Sequence, residues 1–219
     1  MDIMHKNQNV ASLGNEDLSE IENFLIPQGE YILPKYSDLL KFKSTTRSLF
    51  GHRHALYTLP TIELIEFLKS QIGPTAIEVG AGVGIIGKHL GIRCTDNFCQ
   101  AKPEVQKIYQ GLHQPTIKYG KHVLNRDAEW VARKWQPHTI VGSWITHKYV
   151  DANVKGNMYG PDEQVILDNC QQYIMLGHLK IHGAKPILKH KHEVITDCPW
   201  YITRSVQPEK NTIFIWKKG

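Results

Sequence analysis

The feature that most constrains this sequence is a glycine-rich turn that directly follows a strand-like segment and leads into a helix. Residues 75–79 are strand-like, and residues 83–90 have the spacing of a helix. Around their junction, glycine occupies alternate positions, at Gly80, Gly82 and Gly84. Glycines after a buried strand let the backbone turn sharply and approach a ligand without clashes from Cβ atoms. The helix presents free N–H groups and its positive end to that ligand. The segment therefore predicts a strand, a ligand-binding turn and a helix.

Strand-like and helical segments alternate along the rest of the chain. Further strands are predicted at residues 92–95, 121–124, 139–144 and 173–176, and further helices at 128–135 and 162–170. Such alternation indicates a mostly parallel sheet that is covered by helices on both faces. Two late strands, at 200–206 and 212–216, are separated by a turn and predict a terminal antiparallel pair. The fold class is therefore a doubly wound, mostly parallel α/β sheet with an antiparallel pair at its end.

The first 57 residues differ from the rest, and we divide the chain into an N-terminal appendage, residues 1–57, and a main domain, residues 58–219. A short helix is predicted at 18–25, and glycine and proline interrupt any longer element after it. Two interpretations of the appendage stay open: a lid over a ligand, and a helical segment packed on the core. The main domain begins with a helix whose first turn is expected at Pro60, because proline suits that position.

Composition limits the partners and the compartment. Lys and Arg number 26 against 21 Asp and Glu, which permits contact with nucleic acid but does not predict it without a basic run. No apolar run reaches the length of a membrane span, and the polar N-terminus lacks the apolar core of a signal peptide. The four cysteines are widely spread and form no Cys-x-x-Cys pair, so we expect free thiols in a reducing cytoplasm. The oligomeric state stays open.

Two cofactor motifs compete for the glycine-rich turn. Gly82, Gly84 and Gly87 fit the Gly-x-Gly-x-x-Gly pattern of dinucleotide-binding folds. However, the turn should begin at Gly80, and from there the third glycine is replaced by Ile85. From Gly80 the pattern acid-x-Gly-x-Gly-x-Gly fits completely, with Glu78 as the acid. In this motif the sequence resembles the class I S-adenosylmethionine-dependent methyltransferases, which have a Rossmann-like fold.

The resemblance implies S-adenosylmethionine as the cofactor and assigns roles to several residues. In this family the turn wraps the methionine part of the cofactor, and the acid of the motif faces its cationic groups. Asp96 ends the second strand, where a carboxylate can accept hydrogen bonds from ribose hydroxyls. Asp127 and Ala128 correspond to the pair that meets the adenine ring. A helix N-cap or a turn residue is the alternative for both aspartates. The predicted cofactor contacts are Glu78, Gly80, Ala81, Gly82, Gly84, Asp96, Asn97, Asp127, Ala128 and Ser143.

The acceptor side of the predicted site is less defined. The fourth strand lacks both the Asn-Pro-Pro-Tyr type of motif and the Pro-Cys nucleophile, which disfavours two kinds of DNA methylation. Ser143 and Trp144 are candidates for lining the methyl-transfer cavity. If the acceptor needs a general base, the hypothesised candidates are His147, His178 and Tyr149, because histidine titrates near neutral pH.

The leading hypothesis is therefore a methyltransferase that acts on a small molecule. The alternatives are methylation of protein or nucleic acid, a cofactor-binding protein without catalysis, and an NAD-type oxidoreductase, which Ile85 disfavours. The C-terminal third is rich in histidine, but without a Cys-x-x-Cys partner we expect no metal site there.

Overall fold

The computed structural model describes residues 16–146 and 159–218. The helices are α1 Ser19–Leu25, α2 Tyr36–Leu39, α3 Ser44–Arg53, α4 Ile62–Gln71, α5 Ile85–Leu90, α6 Pro103–Gly111, α7 Ala128–Trp135, α8 Glu163–Asp168 and α9 Leu179–His182. The strands are β1 Thr58–Leu59, β2 Ala76–Val79, β3 Arg93–Asp96, β4 Val123–Asn125, β5 Thr139–Ser143, β6 Gln172–His178, β7 Glu193–Ile195, β8 Ile202–Thr203 and β9 Asn211–Lys217.

Within the described residues, the main sheet contains seven strands in the order β4-β3-β2-β5-β6-β9-β7. The strands from β4 to β6 are parallel, and β9 runs antiparallel to both β6 and β7. This arrangement confirms the doubly wound, mostly parallel fold with an antiparallel pair. The direction in which successive strands are added reverses between β2 and β5. In open α/β sheets, ligands bind outside the carboxyl ends of the strands at such a reversal.

The antiparallel pair is present, but its members differ from those expected. The predicted strand at 200–206 is reduced to β8, which pairs with β1 in a separate two-stranded sheet. The strand beside β9 at the sheet edge is β7, which lies earlier in the chain. The expected hairpin does not form because β8 pairs with β1 instead, and the 3-10 turn Pro208–Lys210 then leads directly into β9 of the main sheet.

The helices cover the two faces of the sheet and bury alternating strand residues. On one face, Ile77 and Ile140 belong to a core cluster that includes residues of α7 and α8. On the other face, Val141 and Ile174 belong to a cluster that includes residues of α4 and α5. The helix α6 follows β3 and buries Val105. The sequence pattern alone does not define the type of this segment.

The described part of the N-terminal appendage packs on the core beside the glycine-rich turn. Leu25 and Phe50 form a third cluster with Leu59 and Ile202, and Val83 packs against its edge. This contact supports the interpretation of a packed helical segment, while the division into an appendage and a main domain stays a prediction.

The start of α4 corrects the expected helix boundary. The helix begins at Ile62 rather than at Pro60, because Thr61 is the N-cap and its Oγ1 accepts a hydrogen bond from the Leu64 N–H at 3.1 Å. The residues just before Pro60 instead form the short strand β1.

Candidate active site

The turn between β2 and α5 adopts backbone conformations that explain its glycines. The φ angles are +59°, +56° and +78° at Gly80, Gly82 and Gly84, in the left-handed region that other residues rarely adopt. The Ala81 N–H donates to the Thr95 carbonyl at 3.0 Å and fixes the turn to β3. The alternate spacing of glycine in the sequence therefore follows from the conformation of the turn.

Gly84 is constrained by space as well as by conformation. A Cβ atom at this position would lie 2.6 Å from both His122 Nε2 and Val123 Cγ2. The His122 ring also contacts the Gly84 carbonyl oxygen, with Nε2 at 3.0 Å. The segment that leads into β4 therefore closes directly on the last glycine of the motif.

Glu78 lies beneath the turn and is 1% exposed. Its Oε2 accepts a hydrogen bond from the Gly87 N–H at 2.8 Å, one of the free N–H groups in the first turn of α5. Burial raises the pKa of Glu78 to about 7, and the Gly87 N–H opposes that shift. A Cβ at Gly87 would approach Glu78 Oε2 to 2.7 Å, so this glycine permits close packing of helix and strand. The resemblance assigns Glu78 a cofactor contact, whereas the structure places its carboxylate against the helix.

Asp96 ends β3 and joins the turn to a cleft. Its Oδ2 accepts a hydrogen bond from the Gly82 N–H at 2.9 Å, and its Oδ1 accepts one from the Phe98 N–H at 2.9 Å. The side chain is largely buried, which raises its pKa, while these N–H groups act in the opposite direction. The Asn97 N–H and the Tyr119 hydroxyl also interact with this carboxylate and lower its pKa. A carboxylate has about four lone-pair sites, so a ligand that binds Asp96 would share them with these groups.

The cleft lies at the carboxyl ends of the parallel strands, is open to solvent, and has a cavity volume of about 160 Å³. It brings together most of the predicted cofactor contacts. Those that line it are Gly80, Asp96, Asn97, Asp127, Ala128 and Ser143. Gly82 lines a smaller adjoining cavity, which also borders Gly80 and Ser143.

Asp127 serves as a helix cap and borders the cleft. Its Oδ1 accepts hydrogen bonds from the N–H groups of Glu129 at 2.9 Å and Trp130 at 3.1 Å at the start of α7. The capping interpretation of Asp127 is therefore correct, and the adenine contact stays a prediction. At Asn97, Nδ2 donates to the Tyr159 carbonyl at 2.9 Å, so this residue ties β3 to the segment before α8.

At the end of the cleft opposite Asp96, aromatic side chains surround Ser143. The Ser143 hydroxyl lies 2.9 Å from the Thr58 hydroxyl, which connects β5 to β1. Trp144 follows with a left-handed φ of +55°, and its ring centroid lies 5.6 Å from that of Tyr57. Arg204 stacks on Tyr57, with Cζ 3.6 Å from the ring centroid.

Several lining residues were not identified from the sequence. Gln100 donates through Nε2 to the Tyr109 hydroxyl at 3.0 Å and accepts through Oε1 from the Ile117 N–H at 2.9 Å. The Tyr119 hydroxyl accepts from the Gln100 N–H at 3.1 Å. The hydroxyl of Tyr57 lies close enough to Tyr109 to raise its pKa further, beyond the effect of burial. Gln100, Tyr109 and Tyr119 come from a polar stretch without helical or strand periodicity. The tyrosines of this stretch are its one sequence feature that indicates a binding site.

Of the three candidate bases, the structure describes His178 alone. His147 and Tyr149 lie outside the described residues. His178 is buried at the end of β6, with its ring centroid 5.9 Å from that of Trp144, and is not part of the cleft lining described above. Its Nε2 lies 3.0 Å from the Ser205 hydroxyl and 3.1 Å from the Gln207 carbonyl. Burial lowers the pKa of His178.

Metal centres and membrane spans are both absent from the described residues. Within 16–146 and 159–218, His, Cys, Asp and Glu side chains nowhere gather in the groups of three or more that could hold a metal ion. None of the helices in that part of the chain combines the length and apolarity that crossing a membrane requires.

Comparison with known proteins gives structural likenesses only. No protein-family model matches the chain, and no curated protein matches it. One similar solved structure is the magnesium protoporphyrin IX methyltransferase from Synechocystis PCC 6803 with bound S-adenosylmethionine, at 10% identity, covering 93% of this chain and 98% of that chain, with a TM-score of 0.39. Another is the 23S rRNA methyltransferase ErmE, at 14% identity, covering 72% and 68%, with a TM-score of 0.38.

A third similar structure is named as a decarboxylase rather than as a methyltransferase. It is the precorrin 8W decarboxylase of Methanobacterium thermoautotrophicum, at 12% identity, covering 73% of this chain and 91% of that chain, with a TM-score of 0.38. These structures include members of the family that the sequence resembles. At such identities nothing follows about the substrate, and the fold is established by the strand order itself.

Proposed function

We propose that this chain is an S-adenosylmethionine-dependent methyltransferase. The observation that carries the proposal is the position of Asp96. This carboxylate fixes the glycine-rich turn through the Gly82 N–H and borders the cleft at the strand-order reversal. A nucleoside that enters this cleft would find an acceptor-only group for its ribose hydroxyls.

The chemistry of the cleft fits the cofactor. Acceptors for ribose and adenine lie at one end, in Asp96, Asn97 and Asp127, beside the glycine backbone, while Ser143 on β5 lies toward the other end. Side chains at Gly80 or Gly82 would close on Ile145 and Ile117, with Cβ distances of 3.2 and 3.3 Å. The absence of Cβ atoms therefore keeps the floor of the site open for the methionine part of the cofactor.

The proposed roles of the residues are mainly to bind and to orient. When bound, S-adenosylmethionine supplies a methyl carbon that is activated by a sulfonium, so the protein needs to position the acceptor in line and exclude water. Asp96 would hold the ribose and fix the turn at the same time. Glu78 would act as a positioning residue, because its carboxylate holds the first turn of α5 in place.

We propose a small planar acceptor that lies between the turn and the aromatic end of the cleft. The rings of Tyr57 and Trp144 face this end, and aromatic side chains favour planar ligands through stacking. If the acceptor is an alcohol, a phenol or a protonated amine, a base must remove a proton. His178 stays our candidate within the described residues, since the lowered pKa favours the neutral ring. His147 and Tyr149 stay candidates from the sequence.

We also propose a cytoplasmic location, which is supported by four cysteines that form no disulfide. Fractionation of cells that express a tagged chain would test this proposal directly.

Ligand-induced stabilisation tests the cofactor. S-adenosylmethionine and S-adenosylhomocysteine should each raise the melting temperature, since a ligand at about 100 times its dissociation constant adds about 2.7 kcal/mol. NAD should have no effect. A response to NAD alone would contradict the proposal and favour an oxidoreductase, and binding without any transfer to small planar acceptors would favour a cofactor-binding protein without catalysis.

Substitution at Asp96 tests the site. Asp96→Ala should weaken S-adenosylhomocysteine binding by more than about 1 kcal/mol, because hydrogen bonds to a charged group are lost. Asp168→Ala is the matched control, since it removes an exposed carboxylate at the end of α8. Isothermal titration calorimetry would measure both. Equal affinity in the Asp96 variant and the wild type would refute the ribose role.

A further inference from the structure

A row of cationic and aromatic side chains lies along α7 beside the edge strand β4, outside the cleft. We call it the Arg–Trp platform. It comprises Arg93, Leu124, Arg126, Trp130, Lys134 and Trp135.

The cations and rings of the platform are in direct contact. Arg126 Cζ lies 5.4 Å from the centroid of Trp130, and Arg93 Cζ lies 5.4 Å from the centroid of Trp135. The two indole rings meet edge to face with centroids 5.4 Å apart. These distances fall within the range of cation–π and aromatic contacts, so the four side chains form one continuous row.

Two apolar members of the platform, Leu124 and Trp130, are open to solvent. Trp130 is 40% exposed and Leu124 is 46% exposed. The strand register pairs Leu124 with Thr95, two residues beyond Arg93, so Leu124 and Arg93 point to the same face of the sheet. On α7, Val131 and Ala132 are fully buried, and Trp135 is partly buried against the same core cluster, whereas Trp130 is not part of that cluster. Trp130 is therefore available for a partner.

The platform carries three positive charges, on Arg93, Arg126 and Lys134. Within residues 16–146 and 159–218, no carboxylate lies within ion-pair distance of Arg93, Arg126 or Lys134. The acidic groups of α7 have other contacts. Asp127 caps the helix, and Glu129 lies 3.7 Å from Arg133 and accepts the Asp162 N–H at 3.0 Å.

We infer that the Arg–Trp platform binds single-stranded nucleic acid. Exposed aromatic rings stack on bases, and guanidinium groups both stack on bases and donate hydrogen bonds to phosphates. An acidic peptide would use the cations but would leave the indole rings without a matching partner. A duplex would keep its bases stacked inside and out of reach of Trp130. Both are therefore weaker candidates than a single strand.

The inference is independent of the proposed methyl transfer. The platform requires no cofactor, and its occupation does not make a base the methyl acceptor. Binding to the platform is measured without S-adenosylmethionine, and binding of S-adenosylhomocysteine is measured without nucleic acid. Failure of one proposal is therefore distinguishable from failure of the other.

Fluorescence anisotropy of a labelled oligouridylate about 12 nucleotides long, within known site sizes, tests the inference. Trp130→Ala should weaken binding by about fivefold or more, and Trp130→Phe should restore most of the affinity because the ring remains. Phe24→Ala, which removes a ring that is 39% exposed elsewhere, should leave the affinity unchanged.

The salt dependence gives a second readout. Three phosphate contacts predict a slope of about −2 in the logarithm of affinity against the logarithm of salt concentration, and Arg126→Ala should reduce its magnitude by about 0.7. Arg133→Ala is the matched control, because it removes the same charge from α7 outside the platform. The inference is overturned if the Trp130 and Arg126 variants bind like the wild type, or if a polyglutamate peptide or duplex RNA binds the wild type more tightly than the oligouridylate.

Discussion

The two ends of the cleft are assembled from different parts of the chain. At the Asp96 end, the key contacts join residues that are close in sequence, such as the bond between Gly82 and Asp96, which are 14 positions apart. At the Ser143 end, the corresponding contact joins Thr58 to Ser143, which are 85 positions apart. The first end is defined by the backbone of one strand–turn–helix unit, and the second by side chains that meet only in the complete fold.

This difference suggests that the two ends of the cleft have separate functions. A site made of backbone conformation tolerates few substitutions, because left-handed glycines and buried carboxylates are costly to replace. A site made of side chains on separate elements can change its shape by single substitutions without disturbing the fold. We therefore expect the Asp96 end to control cofactor affinity and the Ser143 end to control the choice of acceptor.

The largest expected effect is at Gly84. Gly84→Ala should lower the free energy of unfolding by about 2–5 kcal/mol, because it adds left-handed strain to a clash with His122 and Val123. It should also abolish detectable binding of S-adenosylhomocysteine. Urea denaturation measures the stability, and calorimetry measures the binding.

Gly29→Ala is the matched control for that substitution. Gly29 has a similar φ of +80°, but a Cβ there meets nothing within 4 Å. This variant should lose only the strain of about 1–2 kcal/mol and bind S-adenosylhomocysteine normally. Equal losses in the two variants would contradict the role assigned to the close approach of His122 and Val123.

A second effect, on the order of 3 kcal/mol, is expected at Glu78 and depends on pH. The pKa of Glu78 in the folded chain is about 7, above its ordinary value of 4.5, so the folded state retains a proton that the unfolded state loses. The stability of the wild type should therefore fall as the pH rises from 4.5 to about 7. Glu78→Gln keeps an acceptor for the Gly87 N–H and should not share this fall.

Glu66→Gln controls for the loss of one negative charge, since it lies at an exposed position on α4. Urea denaturation across the pH window should give parallel curves for this control and the wild type. A Glu78→Gln variant that follows the same curve would show that burial does not perturb this carboxylate.

The Asp96 end was accessible from the sequence because its determinants are local. A glycine at every second position after a strand indicates a left-handed turn, and an acid at the end of the next strand indicates a polar group beside it. The order of elements then predicted the parallel sheet and its two covered faces. One local detail was still wrong: Thr61, rather than a proline-led first turn, sets the start of α4, since its hydroxyl caps the helix.

The Ser143 end was not accessible in the same way, because its contacts have no local signature. Nothing in the sequence places Tyr57 beside Trp144 until β1 has paired with β8. The same reason explains why the strand beside β9 was misassigned, since short edge strands are chosen by tertiary contacts. His178 has a residue type that suits a base, but the fold places it outside the residues that line the cleft, with its ring centroid 5.9 Å from that of Trp144.

The smallest expected effect is at Tyr57, and it tests the division between the two ends most directly. Tyr57→Ala should lower the free energy of unfolding by about 1–2 kcal/mol, because the ring stacks on Arg204 and packs near Trp144. Tyr57→Phe keeps the ring and should restore most of that stability. Both variants should bind S-adenosylhomocysteine with the affinity of the wild type, as measured by calorimetry. A loss of affinity in Tyr57→Ala as large as that in Asp96→Ala would mean that the cofactor extends to the aromatic end, and the two ends would then form one site rather than two.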